Sequence, residues 1–233
     1  MRKLGLLLAV VLPGVLVAPP AAQAAGQHVR LGGVRVALAP GTRQVVTVNH
    51  TRGYHAGVAL WSQQQGRWQR VLAARDGRIG YGGLVAPHRR HQGTGTTPLG
   101  TVRLTSAFGR HPKAAGWDLA YRRIRKGDYW VEDNGSAYYN RYRNKAQGGF
   151  RWWLPTSDPN SSERLRSFPT QYEYSVVIGF NYDQPVRHRG AGIFFHVNGR
   201  GATAGCVSAP RWFLRRTFAA LDPAQGPVIA IGR

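Results

Sequence analysis

Among 233 residues there is one cysteine, and against 32 lysines and arginines there are only ten acidic residues. A single cysteine excludes an internal disulfide framework. In an exported chain it marks a bond to a partner or a reactive thiol, unless it is simply a small buried hydrophobe. Long apolar runs are equally scarce. One occurs, Leu4 to Val17, behind Arg2 and Lys3 and ahead of Pro19, Pro20 and the small-residue site Ala22-Gln23-Ala24. That is the layout of a secretory signal peptide over residues 1–24, too short for a comfortable membrane span. No cysteine lies near the cleavage site, which excludes a lipid anchor, and nothing later is apolar for long enough to cross a bilayer. Residues 25–233 are therefore expected to be secreted, with no transmembrane anchor. Internal repeats, low-complexity tracts and linkers are also missing, so one domain is the economical reading.

What is present is aromatic, rich in glycine and positively charged. Hydrophobic residues make up 42% and aromatics 11%, enough for a folded core, while 30 glycines and 14 prolines suit strands joined by tight turns. A mainly β fold is expected. Gln44 to Val48 is β-branched and alternating. Gly57–Trp61 and Trp68–Leu72 flank a polar turn, Ser62 to Gly66, and read as a hairpin. Further strands are expected at Thr101–Thr105, Gln171–Tyr182, Gly192–Val197 and Val228–Arg233, with helical spacing over Arg211–Leu221. Between Phe108 and Pro159 there is no period. Trp117, Tyr121, Tyr129, Trp130, Tyr138, Tyr139, Tyr142, Trp152 and Trp153 stand there among Arg, Gly and Asn, as an excursion that packs onto the sheet or covers a groove.

The net charge is +22. Nucleic acid is the usual partner of so basic a chain, but an exported protein rarely meets it, so none is expected. The phosphate-rich wall polymers of a Gram-positive envelope attract cations by the same counterion release. The excess of arginine over lysine fits such anion contacts and fits a GC-rich coding sequence equally well.

The stretch that concentrates chemistry is Gly192 to Pro210, GIFFHVNGRGATAGCVSAP. His196 ends an apolar strand, a loop with Gly199, Gly201 and Gly205 follows, and then come Cys206 and Val207. A thiol near its free pKa of about 8.5 needs a base or a positive field to ionise at neutral pH. A strand end would hold the imidazole in one orientation. The glycines would let the chain turn back toward it and leave N–H groups near Cys206 for an oxyanion. Taken singly, a histidine on an apolar strand is more often a satisfied core residue. The pairing of such a histidine with the only cysteine of an exported chain favours catalysis, with His196 lowering the thiol pKa. His88 and His91 stand beside Arg89 and Arg90 without an acidic or cysteine partner, so no metal is expected.

These residues resemble the secreted L,D-transpeptidases of the YkuD type, whose signature is a strand-end histidine, a loop, and Ser/Thr-His-Gly-Cys followed by a hydrophobic residue. The matching positions are His196 and Thr203-Ala204-Gly205-Cys206-Val207. Gly93 to Gly100 (GTGTTPLG) is similar to the family's Gly-x-Thr-Pro-x-Gly loop. Phe108-Gly109, Trp130 to Asn140 and Val176 to Tyr182 extend the likeness over nearly all of the chain after Gly80. Two positions depart from it: Ala204 replaces the second histidine, and the loop between base and nucleophile is short.

The resemblance implies a secreted bacterial, actinobacterial member with an L,D-transpeptidase-like β-sandwich and few short helices. The strands of residues 25–80 complete the fold. It implies Cys206 as nucleophile, His196 as general base, the Val197 carbonyl orienting the ring, and Gly205 with Cys206 giving oxyanion N–H groups. Thr203, Gly199, Tyr139 and Asn140 are the candidate substrate-binding residues. The implied substrates are peptidoglycan stem tetrapeptides, cross-linked 3→3 with release of D-alanine and no cofactor. The alternatives are an L,D-carboxypeptidase or other hydrolase on the same scaffold, and a non-catalytic basic wall-binding protein.

Overall fold

Strands that are apolar at nearly every position, rather than at every second one, organise the molecule, because they are covered on both faces. The computed structural model describes residues 27–233; the expected signal peptide over residues 1–24 lies outside the described residues. A hairpin of β1 (Gln27–Leu31) and β2 (Val34–Leu38) precedes three long antiparallel strands, β3 (Gln44–His50), β4 (His55–Gln64) and β5 (Arg67–Arg78). The turn between β4 and β5 is tighter than the sequence suggested. Gln65 and Gly66 form it alone, both at positive φ (49° and 77°), as a two-residue hairpin turn of matching twist demands.

The short strands β6 (Leu84–Val85) and β7 (Thr97–Pro98) lead to β8 (Gly100–Gly109), and then to β9 (Tyr121–Arg123). Within the aromatic excursion β10 (Asp128–Trp130) and β11 (Tyr142–Asn144) follow, and with β12 (Glu163–Arg164), just beyond it, they pair into a small sheet of their own. Then come β13 (Tyr174–Ile178), β14 (Phe194–Val197), β15 (Val207–Ala209), one helix, α1 (Arg211–Ala220), and β16 (Val228–Gly232). The strand expected over Gln171–Tyr182 is thus confined to its centre. Gln171–Glu173 is a 3-10 turn, and after Ile178 the chain turns away, with Asn181 at φ 51°.

The fold is mainly β. The large sheet runs β13-β14-β15-β5-β4-β3-β16-β8-β9, and β13 also pairs with β8, so the sheet closes on itself. Side-chain alternation then sorts residues between the two faces. Val46, Val48, Val176, Phe195, Val207, Ile229 and Ile231 share the main core, and α1 adds Phe213, Leu214 and Phe218 to it from one helical face. Val45, Val228 and Ala230 point the other way, under the β1–β2 hairpin. A third cluster matters most for function. Phe108, Trp130, Tyr139, Leu165, Tyr172, Val177, Phe194 and Cys206 pack between the other face of β13–β14 and the aromatic excursion. Phe194 is fully buried, and burying that one side chain is worth roughly 2–3 kcal/mol of hydrophobic stabilisation. Most aromatics of the excursion are therefore packing, as for Trp130 and Tyr139, whereas Tyr138, Trp152 and Trp153 remain exposed.

Candidate active site

Strand register brings the histidine and the cysteine to one face. In the parallel pair β14–β15, Phe195 lies opposite Val207 and His196 opposite Ser208. Cys206, one residue before β15, thus falls beside Phe194, and His196 follows two positions along, on the same side of the sheet. Both line a cavity of about 490 Å³ roofed by the excursion. His196 is 6% exposed and Cys206 8%. The ring is oriented by a backbone bond, Nδ1 to Val197 O at 2.8 Å. A carbonyl can only accept, so Nδ1 carries the proton and Nε2 is left as an acceptor. Burial holds this imidazole neutral, lowering its pKa to about 4 against the opposing pull of the Val197 carbonyl.

The thiol is not poised as the sequence implied. Its partners are backbone groups: Sγ–H donates to Gly192 O and Sγ accepts from Phe194 N–H, both at 3.3 Å. The imidazole is not among them. Burial raises the thiol pKa, and the carboxylates of Glu163 and Glu132 raise it further, outweighing the Phe194 N–H and Arg90. The expectation that His196 lowers this pKa is corrected: for a buried thiol beside two acids, the protonated thiol is the resting form.

The turn that delivers Cys206 is fastened from three sides. Thr203 Oγ1 donates to Cys206 O (2.6 Å) and accepts from Gly205 N–H (3.2 Å). Thr97, wholly buried in the Gly-Thr-Thr-Pro loop, donates its hydroxyl to Gly205 O (2.8 Å) and accepts from Gly80 N–H (2.8 Å). Arg78 Nη1 donates to Gly199 O (2.7 Å) and fixes the outer loop. Gly205 sits at φ 127°, where only glycine rests without strain, and a Cβ there would come within 2.9 Å of Arg90 Nη2.

The candidate residues divide cleanly. His196, Cys206, Thr203 and Gly199 all line the cavity, and Val197 supplies its carbonyl to the ring. The Gly205 N–H, expected as an oxyanion donor, is already held by Thr203. Tyr139 and Asn140, expected at the substrate, do not reach the cavity, because the fold consumes their polar atoms. Tyr139 is 1% exposed and donates to Gln92 Oε1 (2.8 Å). Asn140 accepts from Trp130 Nε1 (2.8 Å) and Gly192 N–H (3.1 Å), and donates to Asn181 O (2.6 Å). They position the Gly190–Gly192 segment behind the thiol.

Among the cavity residues not singled out from sequence are Arg90, Glu132, Glu163 and Tyr172. Tyr172 donates its hydroxyl to Glu163 Oε1 at 2.5 Å, and its ring stands edge-on to His196 with centroids 5.6 Å apart. Burial raises Glu163 to about 7, although the Tyr172 hydroxyl pulls it down. Burial, then the neighbouring Glu163, raises Glu132, while Arg90 opposes. The one available signal was their rarity: two of only ten acidic residues converge on the single cysteine.

Glu163 gives a stability test with a definite sign. The folded protein keeps its proton up to about pH 7, whereas the unfolded chain releases it near 4.5. Stability contributed by that proton is complete below the unfolded value and is lost as pH rises through the folded one. Glu163→Gln is expected to match the wild type at pH 4 and to exceed it by roughly 3 kcal/mol at pH 8. Urea unfolding at the two pH values checks this, and equal stability at pH 8 contradicts it.

Among the described residues no helix is long and apolar enough to cross a membrane, and no group of three or more His, Cys, Asp or Glu residues could hold a metal ion. Comparison with protein-family models, curated proteins and solved structures finds no match in any of the three.

Proposed function

We propose that the chain is a secreted cysteine acyltransferase of the L,D-transpeptidase type, acting on peptidoglycan stem peptides. The observation that carries this reading is the single thiol beside a carbonyl-oriented, neutral histidine on the floor of one cavity. The closed β sheet with its covering excursion is taken as the L,D-transpeptidase-like sandwich that the sequence resembles, and the positive surface as the means of holding the protein at anionic wall polymers.

In this reading Cys206 Sγ attacks the carbonyl of the third stem residue as its proton passes to His196 Nε2. The tetrahedral oxyanion falls to the Cys206 N–H, since Thr203 occupies that of Gly205. Collapse breaks the amide to the terminal D-alanine, whose amine leaves with the proton from His196. The thioester remains on Cys206. An amine of a second stem then loses a proton to His196, attacks the thioester and forms the new amide, and the thiolate recovers that proton. Water in place of the amine gives a tripeptide instead. Ala204 stands where the resembled family has a second histidine, so His196 alone moves protons here.

Mass spectrometry of tetrapeptide muropeptides incubated with wild type and Cys206→Ala tests the proposal. The expected product is a Cys206-dependent dimer lacking one D-alanine. Tripeptide without dimer would replace transfer by hydrolysis. Substrate left untouched by both proteins would remove the enzyme reading and favour a wall-binding protein.

A further inference from the structure

Away from the thiol cavity, the fold gathers five cations into one groove and leaves them without counter-charges. The groove, of about 440 Å³, is lined by Arg110, Arg123, Arg125, Lys126 and Arg166, all exposed. Ile124, Leu165 and Pro169 complete a lining that holds no acidic and no aromatic side chain. Among the described residues none of the five cations forms an ion pair. Two acids close to them in sequence are engaged elsewhere. Asp128 is buried and accepts from Arg125 N–H (2.6 Å), the Tyr142 hydroxyl (2.6 Å) and Asn144 Nδ2 (2.8 Å). Glu163 lines the thiol cavity instead.

Backbone pairing brings these like charges together. β8 and β9 run parallel with Gly109 opposite Arg123, and Ile124 N–H donates to Gly109 O (2.7 Å). Arg123 Nε donates to Arg110 O (3.1 Å), which ties the ends of the two strands. Arg125 and Lys126 stand on the turn that Asp128 closes, and Arg166 on the 3-10 turn Leu165–Ser167. Like charges held this way repel, and nothing in the groove offsets that cost. A polyanion laid along it would relieve the repulsion and release its own counterions.

The lining also selects among polyanions. Guanidinium forks fit phosphate oxygens. Single-stranded nucleic acids are ordinarily held by aromatic rings stacked on their bases, and this groove has none. The chain between β12 and β13 separates the groove from the thiol. Phe168, Gln171 and Tyr172 line the thiol cavity, whereas Leu165, Arg166 and Pro169 line the groove. We propose that the groove is a docking site for a polyol phosphodiester chain, a polymer of phosphate linkages without bases. The choice of polymer rests on the wall-polymer part of the proposed function, and the site needs no acyl transfer.

Calorimetric titration of the protein with synthetic poly(glycerol phosphate) at several salt concentrations tests this. Arg125→Gln/Arg166→Gln removes two groove charges. Arg52→Gln/Arg67→Gln removes two exposed charges outside the groove. The groove pair is expected to weaken binding at least about tenfold and to flatten the salt dependence by about two phosphate contacts, while the control stays within about twofold of wild type. Thermal melting establishes that each variant is folded; if the groove pair is not, Lys126→Gln decides alone, with an expected loss of about threefold or more. Equal losses in groove and control variants overturn the site and leave a diffuse attraction to wall polymers. Oligothymidylate or poly-glutamate of equal charge binding as tightly as the polyol phosphate overturns the assigned occupant. No binding of the polymer overturns both the site and the wall-polymer reading.

Discussion

His196→Ala is expected to slow Cys206-dependent release of D-alanine at least about a thousandfold, within the range a lost general base costs. The geometry leaves this ring no substitute. Its Nδ1–H is committed to the Val197 carbonyl, so Nε2 is the one nitrogen free to take the thiol proton. Burial keeps the ring unprotonated down to about pH 4, so at neutral pH the base is present in full. The same shift has a stability consequence. Between pH 6.5 and 4 the unfolded chain binds a proton that the folded chain refuses, so this contribution falls as pH falls through that window. D-alanine release at pH 7, beside a melting curve for the variant, checks the prediction. Activity within tenfold of wild type would remove His196 from the mechanism.

The second large effect concerns the thiol at rest. Iodoacetamide at pH 7 is expected to modify Cys206 at least about a hundredfold more slowly than free cysteine. The side chain is 8% exposed and donates to Gly192 O, and burial above all opposes a thiolate there. A wild-type rate equal to that of free cysteine would contradict the electrostatic account. Slow resting chemistry is compatible with catalysis when activation arrives with the substrate, and a buried thiol is also spared oxidation.

Much of the site was legible because it lies in one continuous stretch. Gly192 to Pro210 carries the strand-end histidine, the glycines that permit the return and the cysteine, whereas the parallel pairing of β14 and β15 that sets them on one face needs the fold, since short connections ordinarily join antiparallel strands. The Thr-Pro loop was also visible as a motif, although its physical task, Thr97 stapling the turn that carries Cys206, needs the fold. Tyr139 and Asn140 misled for an understandable reason. Polar residues in an irregular aromatic segment look available, yet here they satisfy buried backbone groups. Arg90, Glu132 and Glu163 were invisible for the opposite reason. They converge on Cys206 from three separate segments, and no local pattern marks a charge that long-range packing buries. The thiol's resting state was misjudged with them, since its pKa is set by those same charges and by burial.

Intact-protein mass spectrometry after brief mixing with a tetrapeptide muropeptide tests the central claim most directly. The account predicts a transient adduct on Cys206 equal to the substrate minus D-alanine, labile to hydroxylamine as a thioester is, and absent from Cys206→Ala. An unmodified Cys206 in a sample that nonetheless releases D-alanine would contradict it, because the acyl group would then never pass through this thiol.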